Sequence, residues 1–135
     1  ESLAGIKSPE IDYSLMPRAV YCHPQVASWG MSEKSAIESG YQISVGKFPF
    51  SANGKALGIG DPDGFAKVIV DEQYGEILGA HLIGPEVTEL LAEISMARHL
   101  EGTAKEIGSM VHAHPTLSEV VKEATLAAQG EAIHI

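Results

Sequence analysis

The apolar positions along this chain change period partway through. Between residues 41 and 50 they alternate closely enough to predict a strand, with Ile43, Val45 and Phe48 as its apolar members. Runs of similar character predict strands over 65–70 and 77–83, a further strand over 55–59, and two short ones over 18–21 and 26–29. Turn chemistry separates several of these runs. Asn53-Gly54 readily supplies positive φ, Asp61-Pro62-Asp63-Gly64 is a second turn, and residues 71–75 form a third link. Links this short favour antiparallel hairpins, because parallel pairing needs a long crossover.

In the last third the period becomes helical. Val87, Leu90, Leu91 and Ile94 fall at i, i+3, i+4 and i+7, which predicts a helix over 86–100 with one face to the core. Pro85 suits its first helical position, Glu86 and Glu89 the positive end of its dipole, and Arg98 and His99 the negative end. Thr103 with Glu106 forms a capping box that opens a short helix. Leu117, Val120, Val121, Ala124 and Ala128 form a last stripe, closed by Gly130. Near the start, Ser32 and Gly40 bracket a short helix as N-cap and left-handed terminator. Residues 1–17 read as a tether, because Ser8-Pro9 and Met16-Pro17 interrupt any helix. Strands in the middle followed by helices predict an α+β domain. It should be an antiparallel sheet of about four to five strands with helices packed on one face.

Composition narrows the function classes. The 135 residues carry a formal net charge of −9, which argues against a nucleic-acid binder, since that needs a basic face. The lone Cys22 makes no internal disulfide, no redox pair and no cysteine metal cage, and fits a reducing compartment. No apolar run approaches the roughly 18 to 20 residues that span a bilayer. The start at Glu1 predicts a processed or excised piece. Gly58 and Gly60 do not make a dinucleotide fingerprint, because the third glycine is missing and Asp61-Pro62-Asp63 follows instead of a helix.

The segment His112-Ala113-His114-Pro115-Thr116-Leu117-Ser118-Glu119 concentrates the candidate chemistry. Histidine titrates nearest neutral pH and suits acid/base work, and a carboxylate bonded to one ring nitrogen fixes its tautomer. Glu119 is spaced to reach His114. Thr116 and Glu119 also match a capping box, in which Glu119 serves its own helix. His112 and His114 could offer two metal ligands, but no third lies close in sequence, so no metal site is assigned. A surface or interface histidine is the commonest alternative for either. The local pattern alone leaves these readings open.

This segment resembles the signature near the C-terminus of the dihydrolipoamide dehydrogenases, which are flavoprotein disulfide reductases. The resemblance extends from residue 11 onward. Ile11-Asp12-Tyr13, Met16-Pro17 and the run from Tyr21-Cys22-His23-Pro24 to Trp29-Gly30 look like the entry to their interface domain. Residues 65–70 and 77–85 look like its central hairpin, and Ala132-Ile133-His134-Ile135 like its natural C-terminus. Cys22 and Gln25 depart from the family, which more often has Thr and Glu there.

The resemblance implies residues 1–12 as the tail of a preceding flavin domain and tether, and 13–135 as the C-terminal dimerisation domain. It implies a homodimer in which this domain completes the partner's active site for NAD-dependent oxidation of dihydrolipoamide, with FAD and NAD as cofactors of the whole enzyme. His114 matches the catalytic base and Glu119 its orienting carboxylate. His114 and Pro115 would lie against the partner's FAD, and the bond before Pro115 would be cis. His112 has no assigned role. No cofactor is expected on this stretch alone, which should be inactive. Other implied partners are the small subunit-binding domain of a 2-oxo-acid dehydrogenase acyltransferase, but neither nucleic acid nor membrane. The implied location is the cytoplasm of a bacterium, or the mitochondrial matrix of a eukaryote. The alternatives are the interface domain of a related disulfide reductase, for glutathione or trypanothione, or a purely structural self-association module.

Overall fold

The computed structural model describes residues 2–7 and 10–134. The Glu1 start, the Ser8-Pro9 interruption and the final Ile135 of the C-terminal match lie outside the described residues. Short 3-10 turns at Ser2–Ala4 and Tyr13–Leu15 precede the first strand. The strands are β1 (Arg18–Val20), β2 (Gln25–Gly30), β3 (Ile43–Pro49), β4 (Phe65–Asp71) and β5 (Ile77–Gly84). The helices are α1 (Glu33–Glu38), α2 (Gly54–Ile59), α3 (Val87–His99), α4 (Ala104–Ser109) and α5 (Glu119–Gln129).

All five strands pair antiparallel in the order β1-β2-β5-β4-β3. On one face α3 lies over β2 and β5, and α5 over β3 and β4 with α4 beside it. The main core fills that layer with Trp29, Phe48, Val68, Leu82, Val87, Ile94, Val120 and Val121. Each such side chain contributes on the order of 1.5–3 kcal/mol when fully buried. This is the expected α+β architecture, with one addition. On the opposite face α1 covers a small cluster of Ala36, Ile69 and Leu78. Leu78 is the extra residue of a β-bulge, since Ile69 pairs with Gly79 and Val70 with Ile77. The bulge shifts the alternation of β5, so Ile77 rather than Leu78 joins Ala80 and Leu82 in the main core and Leu78 joins the cluster under α1.

Several local devices match the sequence. Ser32 and Ser35 form a reciprocal capping box on α1, and Gly40 takes φ +89. Thr103 and Glu106 do the same for α4, and Gly130 ends α5 at φ +75. Val87, Leu91 and Ile94 are buried on α3 as their spacing predicts.

Three expectations are corrected, and β3 divides its apolar members between two faces. Residues 55–59 are not a strand but most of α2. Asn53 caps that helix by accepting from the Ala56 amide at 2.9 Å, and Gly60 ends it in the left-handed conformation. Only Ala56 of this helix is buried, so Leu57 and Ile59 mimic strand alternation without facing a core. Asn53-Gly54 therefore makes no positive-φ turn, as Asn53 has φ −98. In β3, Ile43 and Val45 point away from Phe48, because odd and even positions of a strand face opposite sides. Ile43 packs on the α1 side, and Gly46 and Phe48 turn toward the helices. Pro85 lies outside α3, which begins at Val87 after Glu86 at φ +50. Gln25 of β2 supplies the cap that Glu86 lacks: its Oε1 accepts from the Thr88 amide at 3.2 Å and hydroxyl at 2.8 Å.

Candidate active site

The segment 110–118 connects α4 to α5. α4 ends at Met110, whose extended conformation turns the chain out of the helix. The chain re-enters helix at Glu119, in the first turn of α5. Thr116 Oγ1 donates back to the Ala113 carbonyl at 2.7 Å, closing the tip of the loop. The bond before Pro115 is cis, as the resemblance implies, and so is the bond before Pro24, which the sequence did not signal.

Glu119 bonds the histidine and also makes the reach-back half of the capping box, but the other half is missing: α5 starts after Ser118 with no side-chain cap, and Thr116 Oγ1 turns to Ala113 and Ser118 instead. Its Oε1 accepts from His114 Nδ1 at 3.0 Å, and its Oε2 accepts from the Thr116 amide at 2.9 Å. One carboxylate thus ties the loop to the helix and holds the imidazole. Because an ionised carboxylate only accepts, His114 Nδ1 must carry the proton, which leaves Nε2 of the neutral ring as an acceptor. No group among the described residues bonds that Nε2. The His114 side chain is 76% exposed whereas Glu119 is only 23% exposed, so a fixed carboxylate presents an accessible base.

A cleft of about 180 Å³ opens beside the loop. Phe48, Asn53, His112, His114, Glu119 and Glu123 are among the residues that line it. Two features here escaped the sequence reading. His112, two residues from the exposed His114, is nearly buried and bonds Glu93 of α3 at 2.7 Å. Glu123, one turn beyond Glu119, pins the C-terminal segment: it accepts from the amides of Ile133 and His134 and from His134 Nδ1 at 2.7 Å. The i, i+4 spacing of Glu119 and Glu123 was a signal that two carboxylates share one helix face. No local signal pointed to Glu93. The two loop histidines serve different carboxylates, and among the described residues no three His, Cys, Asp or Glu side chains gather as metal ligands.

Burial pushes the Glu119 carboxyl up, but the Thr116 amide and the His114 ring that donate to it outweigh burial and hold it below the usual glutamate range. Glu123 behaves alike: burial raises it, and the bonds from His134 and Ile133 bring it down. A carboxyl whose folded value is depressed stabilises the fold above its unfolded pKa, about 4.3 for glutamate. That contribution disappears as the pH falls below this point and through the lower folded value. Denaturation midpoints measured across this acid range should therefore fall less steeply for Glu119→Gln and Glu123→Gln than for the unaltered chain. Parallel curves for all three would contradict the assignment.

The family profile described as "Pyridine nucleotide-disulphide oxidoreductase, dimerisation domain" matches residues 16–125. The chain belongs to this family. It is 50% identical over 124 residues to a dihydrolipoyl dehydrogenase of Mycobacterium leprae, covering 91% of this chain and 27% of that protein. It is 46% identical over 134 residues to a dihydrolipoyl dehydrogenase of Bacillus subtilis, covering 99% of this chain and 28% of that one. Among solved structures, the flavoprotein disulfide reductase RclA from Escherichia coli superposes with a TM-score of 0.79 at 28% identity, over 83% of this chain and 26% of that one. LpdA from Mycobacterium tuberculosis reaches 0.82 at 21% identity, covering 92% of this chain and 27% of that one, and supports the fold alone. The chain thus spans little more than a quarter of the length of the curated relatives it matches. No helix among the described residues of this dimerisation domain is long and apolar enough to cross a membrane.

Proposed function

We propose that this dimerisation domain supplies the acid/base pair of a dihydrolipoyl dehydrogenase, with His114 as base and Glu119 as its orienting carboxylate. The observation that carries the reading is the 3.0 Å bond from His114 Nδ1 to a Glu119 oxygen, on a largely exposed ring whose Nε2 meets no partner among the described residues. In the whole enzyme, Nε2 would take the proton of a substrate thiol. The resulting thiolate is the species able to attack a disulfide. Glu119 would then stabilise the imidazolium, as a carboxylate does for a catalytic histidine.

The family description, the similarity to dihydrolipoyl dehydrogenases and the absence of a second cysteine support a division of labour. The redox disulfide and the nucleotide sites belong to other parts of the enzyme, and residues 13–135 form the interface domain of a homodimer. Residues 113–115 are exposed, which suits packing of His114 and Pro115 against the partner's FAD. When bound, the flavin carries electrons between the disulfide and NAD. The subunit-binding domain of a 2-oxo-acid dehydrogenase acyltransferase is the further partner, and the bacterial relatives favour a cytoplasmic enzyme.

The test is a dithiol–NAD assay on two samples. The full-length protein should oxidise dihydrolipoamide with NAD, and the isolated domain should not. Turnover by the isolated domain would overturn the division of labour. A full-length protein that ignores dihydrolipoamide but reduces a glutathione-type disulfide would overturn the substrate assignment.

A further inference from the structure

The loop that carries His114 is fastened at both ends, and one fastening is made by a histidine with no role in the chemistry above. We propose that Glu93 and His112 form a positioning pair that fixes the His114 loop against α3. This rests on the reading of His114 as the base. The His112 side chain is 4% exposed and Glu93 is 22% exposed. His112 Nε2 donates to Glu93 Oε1 at 2.7 Å, and its Nδ1 faces the Met110 carbonyl at 3.3 Å. Lys122 of α5 donates to the same carbonyl at 3.0 Å. The start of the loop is therefore gripped from α3 by a carboxylate and from α5 by an ammonium.

The far end is gripped as well. Asn53, itself buried, donates from Nδ2 to the Thr116 carbonyl at 3.0 Å, while Glu119 holds the Thr116 amide. His114 is midway between the two anchored residues, His112 and Thr116, so its ring direction follows from both. A buried polar pair is poor evidence of stabilisation, because apolar side chains of like volume often serve the core as well. Its distinctive contribution is direction. A bond from Nε2 to one carboxylate oxygen sets the angle of the loop, whereas a leucine would only fill the space. Misplacement of a reacting group by about 1 Å can cost on the order of a hundredfold in rate.

The experiment is a double-mutant cycle in the full-length flavoprotein, read as kcat for dithiol oxidation and KM for NAD. Glu93→Ala should lower kcat about tenfold and leave the KM for NAD unchanged, since only the base loses its aim. Glu93→Gln, whose amide oxygen can accept the same bond, should restore most of the rate. In a His114→Gln background, Glu93→Ala should cause no further loss, because residues acting through one another are not additive. An equal loss in both backgrounds, or no loss in either, overturns the proposal while the base assignment stands. A His114→Gln protein with an unaltered rate overturns the base assignment itself, and the positioning role with it. Should Glu93→Ala not retain flavin, His112→Leu keeps the volume, removes the bond to Glu93 and carries the same comparison.

Discussion

Replacing His114 by glutamine in the full-length protein should lower the rate of dithiol oxidation by about 10² to 10⁴-fold, the range that a positioned acid/base group supplies. The magnitude follows from the chemistry of the step. A thiol near neutral pH is mostly protonated, and only its thiolate attacks a disulfide. Glutamine preserves bulk and a polar end toward Glu119 but cannot accept and hold the proton. The fold should be little affected, because the ring is largely exposed and its one bond among the described residues joins the loop only to the first turn of the helix that follows. Stopped-flow reduction of the flavoprotein by dihydrolipoamide reads the loss directly. A rate within twofold or so of the unaltered enzyme would exclude His114 as the base, since that is far below the range for such groups.

A large effect on stability is expected at Gly46, where α5 rests on β3. A methyl group there would fall 1.8 Å from the Ala124 carbonyl oxygen and 2.3 Å from the Ala128 nitrogen, and both are backbone atoms that cannot rotate aside. The backbone of Gly46 is ordinary strand, so alanine meets no conformational penalty and its whole cost is the clash. Gly46→Ala should destabilise the domain by about 3 kcal/mol or more, at the upper end for overpacked cores. The thermal midpoint should drop by roughly 10 °C. α5 must also retreat from the sheet, and its first turn holds Glu119. The substitution should therefore weaken the His114–Glu119 bond from a distance, which the ring resonances of His114 would register. An unchanged midpoint would mean that α5 is not seated as described.

The fold was legible wherever a single element carries its own signals. The α3 and α5 stripes, the Ser32 cap of α1, the capping box of α4 and the β4–β5 hairpin depend on residues within one turn or one strand of each other. Local pattern failed where a distant group decides the outcome. Asn53 was read as a turn residue, yet it caps α2 and reaches Thr116, 63 positions away. Gln25 replaces the cap that α3 lacks, again from 63 positions away. In β3 the helix-facing positions include Gly46, which carries no apolar signal although α5 rests directly on it.

The site divides in the same way. His114 and Glu119 lie five residues apart, so sequence could pair them, although it offered capping and orienting as rival roles for Glu119. In the structure one Glu119 oxygen bonds His114 and the other the Thr116 amide, so the two bonds coexist. Glu93 and His112 are 19 residues apart on different elements, and no periodicity joins them. The whole C-terminal grip on Glu123 depends likewise on the chain folding back across α5.

The central claim is that the base on this domain serves the other subunit of a dimer. A hybrid dimer tests it most directly. One subunit carries His114→Gln and an intact redox disulfide. The other carries His114 and serines in place of the disulfide cysteines. In a two-fold dimer with sites shared across the interface, the first subunit's disulfide faces the second subunit's histidine, so one complete site survives of two. The hybrid should oxidise dihydrolipoamide with about half the activity of the unaltered dimer, while each homodimeric variant remains near its own low background. A hybrid as inactive as its two parents would mean that each histidine serves its own chain, and would contradict the account.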